Sequence, residues 1–600
     1  MFGVIVVKGH SQVVPSPGVP ASLTVEAGYG VAEDSVEFQH VAVFIDGRPN
    51  WQDGTREPAT ALSIAKAYVS EGLRLLTRLN GGFSLAMFDS RSRTLHLATD
   101  RMGIETLAWA NRDGTVVFGT SPRQVAVGAY NDVVLAPQAL YDYFFFHMVP
   151  SPGSVFQGVR KAEAAKVLSF NESEQRVSAY WKATFSDRAS DDIEGLAADL
   201  RKALRCAVSA IGADARTGAF LSGGLDSSTV TGVLASISQR PPKTFSVGFG
   251  VDGYDELAYA RIASRHFKCE GHEYVMTPRD VLDAIPVVAR EYDEPFGNSS
   301  AIPTYCCARF ARENAVDTLL AGDGGDELFG GNERYARQRI FEVFQLLPAS
   351  VRAIVTYAAR PFDPNSSILP LRKFRSYVDQ ASIPLPERLE SWNFVYREGA
   401  SLLFDDDFFR EVDPQAPIHA MAATYHETGA PDLLDRMLVY DWKYTLADND
   451  LRKVSAMCRA AGVRVRYPML DNDVVAMSLR VPSHLKLRGL ELRSFYKTAM
   501  RGFLPEAILS KKKHGFGLPF GVWLKTDAAL AEFIYSSLSD LKLRRIVKPS
   551  FIDRLIDEHR AGHPGYYGYV IWDLVILEEW LKHLPNITFR SRPGTIERMS

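Results

Sequence analysis

No cysteine precedes Cys206, and the five that occur, at 206, 269, 306, 307 and 458, are odd in number. Adjacent Cys306 and Cys307 suit neither a disulfide framework nor a metal knuckle, so buried, reduced thiols in a cytoplasmic protein are expected. The chain also lacks the roughly 18–20 uninterrupted apolar residues that a membrane span needs, and no membrane partner is expected. The opening MFGVIVVKGH has neither a basic start nor a small-residue cleavage site, which argues against a signal peptide. An excess of one charge is missing too. With 68 Lys and Arg against 71 Asp and Glu the formal charge is −3, which offers no footprint for a nucleic acid. Internal repeats and sizeable low-complexity segments are absent.

What remains is an ordinary globular mixture, 46% hydrophobic and 23% charged, over 600 residues. That length exceeds a single core and predicts two domains or three. Up to about residue 180 the chain is β-rich, with strand-like runs at 3–7, 41–45, 83–88, 94–98 and 116–119. The runs 84–89 and 94–100 flank a turn at 90–93 and predict a hairpin, hence an antiparallel sheet domain. The polar stretch 184–190 marks a boundary between units 1–185 and 186–600. Asp191 or Asp192 is the expected N-cap of a helix over 196–210. Strands then alternate with helices: strand 217–221, helix 227–237, strand 244–249, helix 256–266 and strand 316–321. This is the pattern of a parallel α/β sheet. From about 333 amphipathic segments dominate, so the last third is predicted to be largely helical.

The string Ser222-Gly223-Gly224-Leu225-Asp226-Ser227-Ser228 joins an apolar strand to a helix. Two glycines permit a tight turn and close approach of a ligand. The N–H groups of the helix start, its dipole and the hydroxyls of Ser222, Ser227 and Ser228 make an anion site suited to pyrophosphate. Asp226 repels phosphate unless a cation bridges them, and Mg²⁺ is the natural bridge. No Lys-Ser/Thr follows the glycines, which disfavours P-loop kinase or GTPase chemistry. A second acidic turn, Ala321-Gly322-Asp323-Gly324-Gly325-Asp326-Glu327, follows another apolar strand. Turns after parallel strands gather at the carboxyl edge of a doubly wound sheet, so Asp326 is expected to join Asp226 around one metal.

These strings, with Val247-Gly248-Phe249 and Asp293-Glu294-Pro295, resemble the synthetase domain of the asparagine synthetase B superfamily. The resemblance continues through 451–471, ending Arg466-Tyr467-Pro468-Met469-Leu470-Asp471, and through Lys513-His514-Gly515-Phe516. Residues 76–110 and 141–181 resemble the family's amino-terminal domain and connector. The fold implied is α/β: an antiparallel, glutaminase-like (Ntn-type) sandwich, then an ATP-pyrophosphatase domain.

By resemblance, the backbone around Leu221, Val247 and Gly322 holds adenine and ribose. Ser222, Gly224, Ser227 and two Mg²⁺ on Asp226 and Asp326 hold the pyrophosphate, and Gly223, Ser228 and Lys453 count among the nucleotide-site residues. Lys513 matches the family's charge-neutralising lysine, and Asp323 sits near the reacting carbonyl, where it would orient the amine or take its proton. Lys511 and Lys512 read equally well as a solvated run.

Family members that use glutamine begin Met-Cys and attack with that thiolate, whereas this chain has Phe2. The family's N-G-E signature is replaced by Asp46-Gly47-Arg48. The scaffold strings Leu79-Asn80-Gly81-Gly82-Phe83 and Asp100-Arg101-Met102-Gly103-Ile104 persist, with Asp100 and Arg101 expected as a structural ion pair. Without a glutaminase, the nucleophile is free ammonia or an amine on the substrate itself. Ser455 and Arg464 replace an Asp and a Glu of the family pattern, which reverses local charge and argues against an aspartate pocket. Arg452, Lys453, Arg459, Arg464 and Arg466 form either a structural ion-pair segment or a seat for an acidic peptide or acyl-adenylate.

The resemblance is strongest to lasso-peptide cyclases. It implies adenylation of an Asp or Glu side chain of a precursor peptide and capture by the peptide's α-amine, giving a macrolactam, AMP and pyrophosphate. A leader-removing protease and a leader-binding protein would be partners. Two alternatives stay open. One is a small-molecule amide ligase, either a β-lactam-type synthetase or an ammonia-dependent asparagine synthetase. The other is an inactive nucleotide-binding scaffold.

Overall fold

The apolar strand runs of the amino-terminal third pair into two six-stranded antiparallel sheets. These belong to a computed structural model describing residues 1–8, 23–25, 28–186, 192–362, 368–427, 429–430, 432–512, 515, 517–562, 564–584, 588–592 and 595–598. Phe2–Val6 lies between Thr115–Gly119 and Gly28–Val31 in one sheet, and Phe83–Asp89 between Val41–Gly47 and Thr94–Thr99 in the other. The predicted hairpin is present, in register from Ser84 opposite Thr99 to Asp89 opposite Thr94. Ile5, Val116 and Phe118 of the first sheet interleave with Phe44, Phe88 and Leu97 of the second, and the rings of Phe44 and Phe118 lie 6.2 Å apart. The second sheet buries its other face under helix Ala61–Glu71, through Ile64 and Ala65. Burial on both faces explains why these strands read as continuous apolar runs rather than alternating ones.

Beyond residue 192 a five-stranded parallel sheet forms, in the order Glu270–Val275, Lys243–Gly248, Thr217–Phe220, Thr318–Leu320, Arg464–Arg466. The three inner strands match the sequence expectation. Neither edge strand does, because Glu270–Val275 is largely polar and Arg464–Arg466 has only three residues. Helix Ile193–Ile211 starts one turn earlier than expected, with Asp192 accepting the Gly195 N–H at 2.7 Å; Asp191 lies outside the described residues. From Glu333 onward the chain is mainly helical and includes a π-helical stretch, Trp442–Asp450.

The two parts share a core in which Phe144, Val155 and Phe156 pack with Trp572, Leu574 and Trp580. Polar clamps join them as well. Lys161 pairs with Glu294 at 2.5 Å, the Ser151 hydroxyl donates to Asp448 at 2.8 Å, and Asn80 donates to Asp471 at 3.0 Å. Arg452 donates to the carbonyls of Gly103, Ile104 and Glu105. The Glu294 and Asp471 motifs and Arg452 are thus spent on joining the halves.

Asp100 corrects the expected ion pair. Its carboxylate accepts N–H groups from Phe83, Met102, Ile104 and Glu105 at 2.9–3.3 Å, while Arg101 donates to the Thr77 carbonyl and stacks over Trp181. A buried carboxylate ringed by amides needs no cation.

Candidate active site

Strands Thr217–Phe220 and Thr318–Leu320 are neighbours, so the glycine turns that follow them meet at the carboxyl edge of the sheet. The contact is close. A Cβ at Gly322 would lie 2.7 Å from the Ser227 nitrogen, and one at Gly325 would lie 2.0 Å from Asp226 Oδ1. Glycine is required at both positions for the turns to interlock. At Gly223 φ is +70°, and a side chain would strike the Ala260 backbone at 2.4 Å.

The turns open into a cavity of about 740 Å³ whose wall includes Leu221, Ser222, Gly224, Asp226, Ser227, Val247, Gly322, Asp323, Asp326 and Lys453. Helix Leu225–Ile237 begins here with Gly224 as its cap, so its free N–H groups and positive dipole end face the same space. The hydroxyls of Ser222 and Ser227 lie 3.0 Å apart, and Ser222 Oγ accepts the Gly224 N–H at 3.3 Å. Leu221 donates its N–H to the Phe245 carbonyl at 2.9 Å, and its own carbonyl accepts from Ser246 Oγ at 2.6 Å.

Two of the expected nucleotide-site residues lie outside the cavity wall. Gly223 is not part of the cavity wall; it serves the turn. Ser228 is fully buried in the helix behind the wall, because its position in the helical repeat points the hydroxyl into the core. Lys513 lies outside the described residues.

The metal-ligand expectation acquires a competitor. Asp226 and Asp326 do converge, but on Arg493, whose two Nη atoms donate to Asp226 at 2.7 Å each and one of which also reaches Asp326. Arg493 has φ +56° and ψ +32°, a left-handed conformation that turns the chain after strand Glu491–Leu492 and aims the guanidinium inward. The donor set nevertheless fits Mg²⁺, since both carboxylates are hard oxygen ligands. No group of three or more His, Cys, Asp or Glu that could cage a metal gathers among the described residues.

Deeper in the wall, burial lifts Asp323 to about 6, with Lys453 pulling down and Asp450 pushing up. Burial opposes the charge on Lys453, but Asp450, 2.6 Å away, and Asp323 carry its pKa above the ordinary value. Sequence reasoning missed Arg493 and Asp450 and left Lys511 undecided. Lys511 is nearly buried, pairs with Glu256 at 2.9 Å, lies over the Tyr259 ring and donates to the Gly223 carbonyl at 3.4 Å. The solvated-run reading is therefore wrong for Lys511. Its neighbour Lys512 also lines the cavity.

Arg464 and Ser455 are not in that wall. Arg464 sits half-exposed on the edge strand against Asp317 at 3.5 Å, and Ser455 bonds the Tyr467 hydroxyl at 2.8 Å. Arg459 pairs with Glu291 at 2.8 Å, so most of the basic segment is structural. All five cysteines are free. Cys306, Cys307 and Cys458 are buried as expected, whereas Cys206 is exposed and Cys269 half-buried.

Comparison with known proteins agrees with this geometry. The asparagine synthase family pattern matches residues 199–582, and the glutamine amidotransferase domain pattern matches 59–181. The chain is 25% identical over 521 residues to asparagine synthetase [glutamine-hydrolyzing] 1 of Bacillus subtilis, covering 86% of this chain and 79% of that one. It is 23% identical over 506 residues to asparagine synthetase [glutamine-hydrolyzing] 3 of the same organism, covering 80% and 75%. It is also 23% identical over 513 residues to an amidase, chry2, of Gibberella zeae, covering 77% and 73%. With the first pattern spanning well over half of its length, the chain belongs to the asparagine synthase family.

Proposed function

We propose that the protein is an ATP-dependent, AMP-forming amide ligase, and that its substrate is a peptide which it closes into a macrolactam. The reading rests on one observation. Interlocked glycine turns bring Asp226 and Asp326 together beside a helix N-terminus and a roomy cavity. That arrangement suits the pyrophosphate of ATP, and Mg²⁺ bound with it would offset the charge that accumulates as pyrophosphate leaves. Ser222, Ser227 and the amides of the helix start would hold phosphate oxygens. Lys511, Lys512 and Lys513 would supply further positive charge, and Asp323 would orient the attacking amine.

The amine is the substrate's own. Phe2 replaces the thiol that relatives use on glutamine, so unit 1–185 serves as a scaffold clamped to unit 186–600 through Arg452 and Lys161. Intramolecular capture gains an effective concentration of roughly 10⁵ M or more over a free amine. A lasso-peptide precursor, whose α-amine meets an activated Asp or Glu side chain, fits that economy. A leader-removing protease and a leader-binding protein would prepare it. The Bacillus relatives are named asparagine synthetases, which favours a second reading, a small-molecule amide ligase; without a glutaminase thiol it would take aspartate and free ammonia.

The test is incubation of the purified chain with ATP, Mg²⁺, the protease and the precursor peptide encoded beside it. The proposal expects AMP, pyrophosphate and a peptide lighter by one water. Turnover only with aspartate plus ammonia would assign the second reading. Absence of ATP–pyrophosphate exchange with either substrate would leave a nucleotide-binding scaffold.

A further inference from the structure

Helices Glu333–Gln345, Ala349–Ala359 and Leu369–Ser382 form an outlying unit with a small core of its own, Phe344, Ala359, Val378 and Ala381. Its outer surface is unusually apolar. Among the described residues, ten of the 21 exposed large hydrophobic side chains fall between positions 340 and 374, about one residue in seventeen of the chain holding nearly half of them. The first two helices bend by 110° at their junction, and Leu346 at that corner is 83% exposed. Each exposed residue within Ala349–Ala359 is uncharged, and Val351, Ile354 and Tyr357 follow one another at helical spacing.

Charge on the unit runs against that of the protein. Residues 333–382 carry eight Arg and Lys against four Asp and Glu, in a chain whose formal charge is −3. Arg360 lies over the Tyr357 ring at the end of the apolar helix, and exposed Arg372 and Lys373 directly precede Phe374.

We propose that this corner docks on the surface of an anionic lipid bilayer, with Leu346, Ile354 and Tyr357 entering the interface and the basic rim meeting the headgroups. A bilayer supplies an apolar layer beneath negative charge, which is the pairing this surface presents. A second copy of the chain fits less well, since a twofold contact would set one basic rim against another. An amphipathic peptide needs a groove, whereas Leu346, the most exposed of the apolar residues here, sits at a corner. No single described helix is long and apolar enough to cross a membrane, and this bent pair could enter one only as a broken span; the proposal is a peripheral contact of its corner. This inference does not rest on the proposed substrate.

Flotation of the full-length protein with vesicles tests it. Vesicles of phosphatidylcholine mixed with phosphatidylglycerol should carry the protein upward, and vesicles of phosphatidylcholine alone should carry at least tenfold less. A triple variant, Leu346→Ser with Ile354→Ser and Tyr357→Ser, should stay at the bottom of the gradient. Because that variant removes much apolar surface, Arg372→Gln with Lys373→Gln is a second, milder probe. It should lower recovery severalfold at an unchanged melting temperature, as added salt does for the wild type. Equal recovery on both vesicle types, or variants that float like the wild type, would overturn the proposal. So would a wild-type dimer by light scattering that the triple variant abolishes, which would assign the face to a second copy.

Discussion

Arg493 grips Asp226 with both arms of its guanidinium, Nη1 to Oδ1 and Nη2 to Oδ2, each at 2.7 Å. Because Nη2 also reaches Asp326, one guanidinium is shared by both carboxylates that the glycine turns bring together, and its single charge offsets only one of theirs. The site therefore carries its own cation before a metal–nucleotide complex enters.

Removing that cation should make the fold dependent on an external one. Arg493→Gln leaves two part-buried carboxylates facing each other, at a cost on the order of 3 kcal/mol in metal-free buffer. Thermal melts should show a large drop in EDTA and substantial recovery in Mg²⁺, with little Mg²⁺ effect on the wild type. An equal drop with and without Mg²⁺ would mean that the carboxylates do not accept a divalent ion.

Glycine at 223 is needed for space as well as for backbone angle. Gly223→Ala combines a left-handed φ with a Cβ that meets Ala260 backbone, and should cost about 2–4 kcal/mol. Gly250→Ala is the control: its φ is +60° but nothing lies within 4 Å of the added Cβ, so only about 1 kcal/mol is expected. Urea unfolding of both variants checks the difference.

Asp323 should mark the pH dependence of stability. Its pKa rises from 3.8 to about 6 on folding, chiefly through burial. The folded protein then binds more protons than the unfolded chain between about pH 4 and 6, so this carboxyl makes stability fall as pH rises through that window and level off above it. Asp323→Asn should flatten that part of the profile and be more stable than the wild type at neutral pH. An unchanged profile in urea titrations across the window would contradict the burial argument.

Glutamine should yield no ammonia. No thiol precedes Cys206, and burial pushes the Cys306 thiol up to about 12, where it is neutral and inert. A glutamate-dehydrogenase-coupled assay with glutamine and ATP should stay at background, and sustained ammonia release would reveal a nucleophile elsewhere.

Sequence patterns revealed much of this arrangement. Ser222–Ser228 and Ala321–Glu327 were legible because only glycine permits such turns after apolar strands, and the structure interlocks them. Arg493 was not legible. It follows a two-residue strand in a segment with no periodicity, and its role depends on a contact across more than 160 positions with each aspartate. Lys511 stayed undecided because a run of three lysines suits solvent as well as a phosphate site. Ser228 was misassigned because a hydroxyl one residue past a phosphate turn can face the core as readily as the ligand. The edge strand Arg464–Arg466 was missed since two arginines in three residues look like a loop until the neighbouring strand pairs with them.

Calorimetric titration of magnesium pyrophosphate into the wild type, Asp226→Ala and Asp326→Ala tests the central claim without knowledge of the acyl substrate. The account predicts Mg²⁺-dependent binding by the wild type, weakened at least tenfold, about 1.4 kcal/mol, in each variant while far-ultraviolet spectra stay the same. Equal affinity in all three proteins would show that the paired carboxylates do not hold the ligand.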